Sequence, residues 1–391
     1  MKTKLIIFGI TGDLSTRKLL PVLKDIVDTG EYEDLSVIGV SRRQVDTAEL
    51  LSAQPVLIDR TSIFTMDLAD KSAYVRLKES VDLQQDEQAL VYLSVPPSAA
   101  ADIVDFLGMA GFTTANVKIL FEKPFGFDLT SAEEVITRSS RYFTEDQLYR
   151  IDHYMAKEVA QDIIRMRTTA ESHDTWDNQS ITKIEIIASE KIGVEGRGTF
   201  YEQTGALRDF IQGHLMQLLS LVLMETPSDF SMEKLPIYRL EALNRIQPAD
   251  PVLARRAQYR GYSEEVGNPG GLTETFASLE LSSDDSRWQG VSLQLTTGKA
   301  LSEKRSFIKI TQADGKVTIL EEGASNKGGR LPDAYERVLI EAIHGRKSIF
   351  TTSPEVLQSW KIVAPVQQAW SMDNQPLPLY TPGTSYTDLI A

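Results

Sequence analysis

Cysteine is absent from the 391-residue chain, which excludes a disulfide framework, a thiolate nucleophile and any metal site built on sulfur ligands. Long apolar runs are absent as well. The opening stretch "MKTKLIIFGITGD" holds five hydrophobic residues before its first glycine, too few for a secretory signal, and no stretch approaches the roughly 20 apolar residues of a membrane span. A cytoplasmic protein is expected. Basic charge is in deficit: 41 Lys and Arg stand against 55 Asp and Glu, a net charge of −14. That balance argues against a nucleic-acid-binding surface and requires any anion to meet a local basic pocket. Histidine is scarce, at four residues, and no His/Asp/Glu spacing marks a metal site. With 42% hydrophobic and 25% charged residues the composition is that of a folded globular protein. The length exceeds what one core usually serves, so two domains are expected.

The first third reads as a nucleotide-binding sheet. An apolar strand, Leu5 to Phe8, breaks at Gly9, and apolar residues then recur at near-helical spacing from Leu14 to Val27. Strand, glycine turn and helix together aim backbone N–H groups at a phosphate. The turn, Gly9-x-x-Gly12, lacks the third glycine of the usual dinucleotide fingerprint. A second strand, "LSVIGVSRR", ends in Ser41, Arg42 and Arg43 with no acid at its tip. An acid there meets the ribose of NAD, whereas an arginine accommodates the 2′-phosphate of NADP, so NADP is the expected cofactor and NAD the alternative. "ALVYLSVPP" and "VKILFEKPFG" read as further buried strands ended by proline. Lys123, just past the second, lies where side chains face the ligand crevice of such a sheet.

The middle of the chain carries the chemistry. "RIDHYMAKE" packs Asp152, His153, Tyr154 and Lys157 into six positions. Read as a helix start, it places His153 and Lys157 one turn apart on one face, where two cations suit a phosphoryl group and Tyr154 adds a hydroxyl donor. Glycines at 193, 196 and 198 then mark a loop leading into an apolar helix over roughly Ala206–Met224. Asp209 and His214 sit in its first half. A histidine entering a Leu- and Met-rich run is a hydrogen-bonded core residue or, held by a carboxylate, a general base. Spacing does not choose that carboxylate: Asp209 is five residues away, an awkward angle on a regular helix, and Asp152 is remote in sequence. Further on, "RWQGVSLQLTTGKALSEKRS" gives a strand followed by Lys299, Lys304 and Arg305, a small basic knot suited to closing an anion pocket. "LPDAYERVLIEAIHG" reads as an amphipathic helix, and "SWKIVAPVQQAW" as another that Pro365 interrupts.

Taken together, these stretches resemble the glucose-6-phosphate dehydrogenase family. "GITGDLSTRKLLPVL", "EKPFG", "RIDHYMAKE", "EGRGTFYEQTGALRDFIQGHLMQ", "RWQGVSLQLTTGKAL" and "LPDAYERVLIEA" match it in order. The resemblance implies an α/β Rossmann-like N-terminal domain, residues 1–152, and an α+β C-terminal domain with a mainly antiparallel sheet, residues 153–391. It implies that Gly9, Thr11, Gly12, Asp13, Leu14 and Ser15 hold the NADP pyrophosphate and Arg42 its 2′-phosphate, while Lys123 touches both sugar and nicotinamide. By the same resemblance His153, Tyr154 and Lys157 grip the 6-phosphate of glucose 6-phosphate, Glu190 and Asp209 bond sugar hydroxyls, and Lys299 and Lys304 close the pocket. His214 matches the catalytic base and Asp152 its partner.

Some features depart from the family. The chain is shorter than typical members, chiefly between Arg305 and Leu331, where others carry further sheet. The resemblance implies a homodimer, and the shortened sheet argues against the usual assembly and against a second, structural nucleotide. "QNH" of the family has become "QGH" at Gly213. Two rival readings stand beside the main one: a sugar oxidoreductase of the glucose–fructose oxidoreductase kind, which shares the Rossmann domain and an "EKP" lysine, and an inactive paralogue serving as a binding subunit.

Overall fold

The computed structural model describes residues 2–169, 175–321 and 333–390. The chain divides into two compact units. One comprises Met1–Gly126, Thr130–Ala156 and Arg330–Ser353, and the other Phe127–Leu129, Lys157–Gly329 and Pro354–Ala391.

The first unit is built on a seven-stranded sheet. Its spatial order is Phe350–Thr351, Leu148–Ile151, Val117–Phe121, Glu87–Leu93, Lys2–Phe8, Leu35–Ser41 and Thr61–Thr65. All neighbours pair in parallel except the short Phe350–Thr351 edge strand. The strands are apolar on both faces because helices cover both: Leu5, Ile6, Ile7 and Phe8 are all buried, as is the run from Gln88 to Leu93. A parallel sheet made of such continuous runs is the doubly wound arrangement. Its strand order reverses between Lys2–Phe8 and Glu87–Leu93, so the crevice past their carboxyl ends is where this fold receives a ligand.

The second unit carries another seven-stranded sheet, ordered Val317–Glu321, Arg305–Gln312, Ile181–Ser189, Ser292–Gly298, Phe276–Leu281, Arg255–Tyr259 and Leu379–Tyr380. It is mainly antiparallel, with parallel pairing between Ile181–Ser189 and Ser292–Gly298 and at the Leu379–Tyr380 edge. A long helical segment crosses this sheet, wound as a π-helix over Leu207–Leu215 and as an α-helix over Met216–Leu223. Its second half is buried all round, which is why the sequence there reads as apolar without a polar stripe. Its carboxyl end is fixed by buried donors. The indole N–H of Trp176 donates to the Val222 carbonyl at 2.7 Å, that of Trp288 donates to Leu223 at 3.0 Å, and the Arg167 guanidinium donates to Met224.

Two local expectations are corrected. The helix over Ser353–Met372 runs through Pro365 without interruption. Proline removes the bond to the carbonyl four residues back, here that of Lys361, and the rest of the winding continues. The stretch after Asp152 is not a helix start. Asp152 Oδ1 accepts the Tyr154 N–H at 3.0 Å, two turns follow, and the helix begins at Glu158, with Lys157 extended at its N-cap (φ −72°, ψ 160°). A short carboxylate side chain that bonds the backbone two residues on competes with helical winding, so His153 and Lys157 do not share a helix face. Of the shortened segment between Arg305 and Leu331, the part beyond Glu321 lies outside the described residues.

Candidate active site

In the first unit the turn after Lys2–Phe8 is built on Gly9, whose φ of +81° lies where only glycine is comfortable. A Cβ there would overlap the carbonyl oxygen of Ser94, at the end of the neighbouring Glu87–Leu93 strand. Gly12 N–H donates to the Gly9 carbonyl at 2.9 Å, and the chain becomes helical from Asp13. At the position of the missing third glycine stands Ser15. It is fully buried, and its hydroxyl is shared between the Gly9 carbonyl at 2.9 Å and Ser94 Oγ at 3.0 Å. A small hydroxyl here permits the close helix–strand approach that glycine gives elsewhere and pins the turn. Thr11 and Asp13 are exposed on it, Leu14 is half-buried, and Asp13 pairs with Arg17 at 2.7 Å. Arg42 and Arg43 are exposed past Leu35–Ser41, with Arg43 N–H donating to Ser41 Oγ at 3.1 Å. A glycine cradle at the topological switch, opening a helix, fits the pyrophosphate of a dinucleotide.

Lys123 follows Val117–Phe121 and precedes Pro124 through a cis peptide bond. Its neighbour Glu122 was not singled out from the sequence. Burial pushes the Glu122 carboxyl up to about 7, a rise that the Tyr92 hydroxyl donating to it opposes, that the charge of Asp152 adds to and that Lys123 opposes. Glu122, Lys123 and Asp152 therefore form one electrostatic group. Asp152 is 2% exposed. His153 lies between two aromatic rings: Tyr154 meets it edge-on at 5.1 Å, and Tyr335 stacks on it at 6.2 Å with planes 12° apart. Tyr335, on the Ala334–Ile343 helix, is a second residue that sequence reasoning missed, since an aromatic on an amphipathic helix reads as core.

The second unit brings Glu190 and Lys299 together at one end of its sheet. Ile181–Ser189 and Ser292–Gly298 are parallel, with Ser189 opposite Gly298, so the residues that follow them come out side by side. These are Glu190 and Lys299, an ion pair at 2.5 Å across 109 positions of sequence. The Lys299 ammonium also lies 5.2 Å from the ring centre of Tyr201. Tyr201 is buried, and burial drives its hydroxyl well above the ordinary phenol range, with Asp209 the next contributor and Glu190 a smaller one. Asp209 and Glu190 thus both act electrostatically on the same phenol. Tyr201 was missed as well; its only signal was its place inside the glycine-flanked stretch "EGRGTFYEQTG". Lys304 is exposed at the turn before Arg305–Gln312.

His214 is 5% exposed on the helix that carries Asp209, with the Phe210 ring edge-on at 5.5 Å. On an α-helix their five-residue spacing would splay them by about 140°. The π winding of Leu207–Leu215 closes its hydrogen bonds five residues apart and brings position i+5 back towards position i. Lys157 opens the Glu158–Arg167 helix in this same unit. No group of metal-ligating side chains occurs among the described residues, and among them no helix is long and apolar enough to cross a membrane.

A glycine-cradled switch point in one unit, and a buried histidine on a polar-lined helix in the other, define a two-unit dehydrogenase that works with a nicotinamide dinucleotide. The chain belongs to the glucose-6-phosphate dehydrogenase family. The family's "NAD binding domain" matches residues 6–162, and its "C-terminal domain" matches 171–328 and 312–388. Glucose-6-phosphate 1-dehydrogenase of Dickeya dadantii is 30% identical over 97% of this chain and 94% of its own length, and that of Bacillus subtilis is 29% identical over 98% and 94%. Among solved structures, a glucose-6-phosphate dehydrogenase in complex with glucose 6-phosphate superposes with a TM-score of 0.90 at 26% identity, covering 98% of this chain and 95% of that one. The UDP-N-acetylglucosamine 3-dehydrogenase of Acidithiobacillus ferrooxidans, at 14% identity and a TM-score of 0.53, shares the fold alone.

Proposed function

We propose that this chain oxidises D-glucose 6-phosphate at C1 to 6-phospho-D-glucono-1,5-lactone, passing the hydride to NADP, as a cytoplasmic enzyme of carbohydrate metabolism. Residues 1–152 supply most of the cofactor contacts and residues 153–391 most of the sugar contacts. The observation that carries this reading is the polar cluster Glu190–Lys299–Tyr201–Asp209 at the end of one sheet, on the unit whose crossing helix presents His214. Such a set bonds several hydroxyls at once and leaves one imidazole to take a proton.

His214 is the base for the anomeric hydroxyl. Asp152 is its partner, orienting the ring and stabilising the imidazolium. Glu190 and Asp209 bond sugar hydroxyls, with Lys299 and Lys304 at the mouth. His153, Tyr154 and Lys157 take the 6-phosphate, and Lys123 contacts sugar and nicotinamide. The bound cofactor supplies the hydride acceptor, and the protein supplies geometry and charge. The Gly9–Ser15 turn and Arg42 hold its phosphates.

Mixing the protein with glucose 6-phosphate and NADP, then NAD, while following absorbance at 340 nm tests the assignment directly. Two variants sharpen it. Lys157→Ala removes a charge-assisted phosphate contact worth about 1.5–3 kcal/mol, so KM for glucose 6-phosphate should rise about 10- to 100-fold, while any activity on free glucose is unchanged. Activity on free glucose that exceeds the phosphorylated rate and ignores this substitution would assign the chain to the unphosphorylated-sugar class instead. Arg42→Ala should raise KM for NADP about tenfold, the low end of that range because the side chain is exposed, and leave KM for NAD within about threefold. Equal loss with both cofactors would remove Arg42 from the 2′-phosphate.

A further inference from the structure

The helix that carries Asp209 and His214 begins abruptly. Gly205 (φ +59°, ψ −177°) breaks the preceding Gly198–Ala206 helix, and the π turn starts two residues later. A helix start leaves its first N–H groups without intrahelical partners, and here one residue from a distant part of the chain takes two of them. Glu274 accepts the Leu207 N–H on Oε1 at 2.9 Å and the Ala206 N–H on its backbone carbonyl at 3.0 Å. A carboxylate at a helix N-terminus is also favoured by the helix dipole.

The space for this carboxyl is made by Gly205, since a Cβ there would run into Glu274 Oε1, Cδ and Oε2. Burial favours the protonated form of the group, opposed by the Leu207 N–H and by the Arg208 and Arg256 guanidiniums. The next residue holds the other side of the sugar-facing cluster. Thr275 accepts the Lys299 N–H on its carbonyl at 2.9 Å, and its hydroxyl lies 2.9 Å from the Tyr380 hydroxyl, which donates to the Lys299 carbonyl at 2.6 Å. Glu274 and Thr275 therefore fasten both the Asp209–His214 helix and the Lys299 backbone to the start of the Phe276–Leu281 strand.

We propose that Glu274 is a positioning residue for catalysis: by capping the π-wound helix it sets the register in which Asp209 and His214 meet the sugar. This inference rests on the assignment of His214 as base made above. The cap needs an acceptor oxygen rather than a charge, so a glutamine serves and an alanine does not. Gly205 is part of the same device, because its missing side chain leaves room for the carboxyl.

The test compares Glu274→Gln, Glu274→Ala and Gly205→Ala with the parent protein. Steady-state kinetics, melting temperature and backbone amide exchange across residues 206–215 are measured for each. Glu274→Ala and Gly205→Ala should lower kcat for glucose 6-phosphate at least tenfold, leave KM for NADP within threefold, and raise exchange at Leu207, whose N–H bonds the carboxyl, at least tenfold. Glu274→Gln should stay within threefold of the parent in all three readings. A merely structural role would lower the melting temperature and leave kcat per folded molecule unchanged, and that result overturns the proposal. Equal losses in Glu274→Gln and Glu274→Ala overturn it too, because charge rather than capping would then be at work. If the parent shows no turnover, the assigned reaction fails separately, and amide exchange still decides the cap: unchanged exchange in Glu274→Ala refutes it.

Discussion

His214→Asn is expected to lower kcat by about 10²–10⁴-fold, the range that a positioned general base contributes, while KM for glucose 6-phosphate stays within about threefold. Hydride departure from C1 develops positive charge on that carbon unless the proton on the anomeric oxygen leaves with it. A base aligned with that O–H is the means of removing it. Asparagine keeps much of the volume and the hydrogen-bonding capacity of histidine but accepts no proton near neutral pH. The groups assigned to grip the substrate, Lys157, His153, Glu190 and Lys299, are untouched, so binding should persist. A loss in kcat with KM preserved marks an interaction made only in the transition state. His214 is buried in the helix beside Phe210, so the exchange replaces one enclosed planar group by another and should not unfold the helix. Retention of more than a tenth of the parental kcat by the purified, folded variant would remove His214 from the base role.

The elements whose evidence was local were legible in the sequence. "LIIF" and "ALVYL" are apolar without alternation, the signature of strands covered on both faces, and the strands stand where those runs lie. The Ala206–Met224 helix was legible for the same reason. Its π winding was not, because no composition encodes a register in which i bonds i+5. That register depends on what holds the two ends, Glu274 at one and Trp176, Trp288 and Arg167 at the other, all distant in sequence. The pairing of Glu190 with Lys299 was hidden similarly, since parallel strand pairing rather than spacing makes them neighbours. At "RIDHYMAKE" the local shape was not legible. A carboxylate two residues before Tyr154 captured the backbone and delayed the helix to Glu158. Tyr201, Tyr335 and Glu122 escaped because aromatic residues and a lone acid in a strand-end motif look the same whether they fill a core or line a site.

Glu355→Ala should destabilise the second unit by about 3–5 kcal/mol, the cost of leaving a buried charge without its partner. Arg239 Nε donates to Glu355 Oε1 at 2.7 Å and its terminal nitrogen donates to Oε2 at 3.2 Å, a two-pronged pair with both side chains at 0% exposure. The pair joins the Leu235–Asn244 helix to the Ser353–Met372 helix. The latter also supports the Leu207–Leu215 helix through the Gln212 amide, which donates to Ser359 Oγ at 2.9 Å. At about 2–4 °C per kcal/mol for a domain of this size, the melting transition should fall by roughly 6–20 °C in scanning calorimetry. The size of the effect does not mean that the pair itself stabilises the fold, because desolvating two ions offsets most of their attraction. The double variant Arg239→Met/Glu355→Leu separates the two ideas. If the penalty comes from an uncompensated charge, the apolar pair should recover most of the lost transition temperature. If the double variant melts as low as Glu355→Ala, the forked geometry holds the two helices together, and burial of the charge is not the reason for the loss.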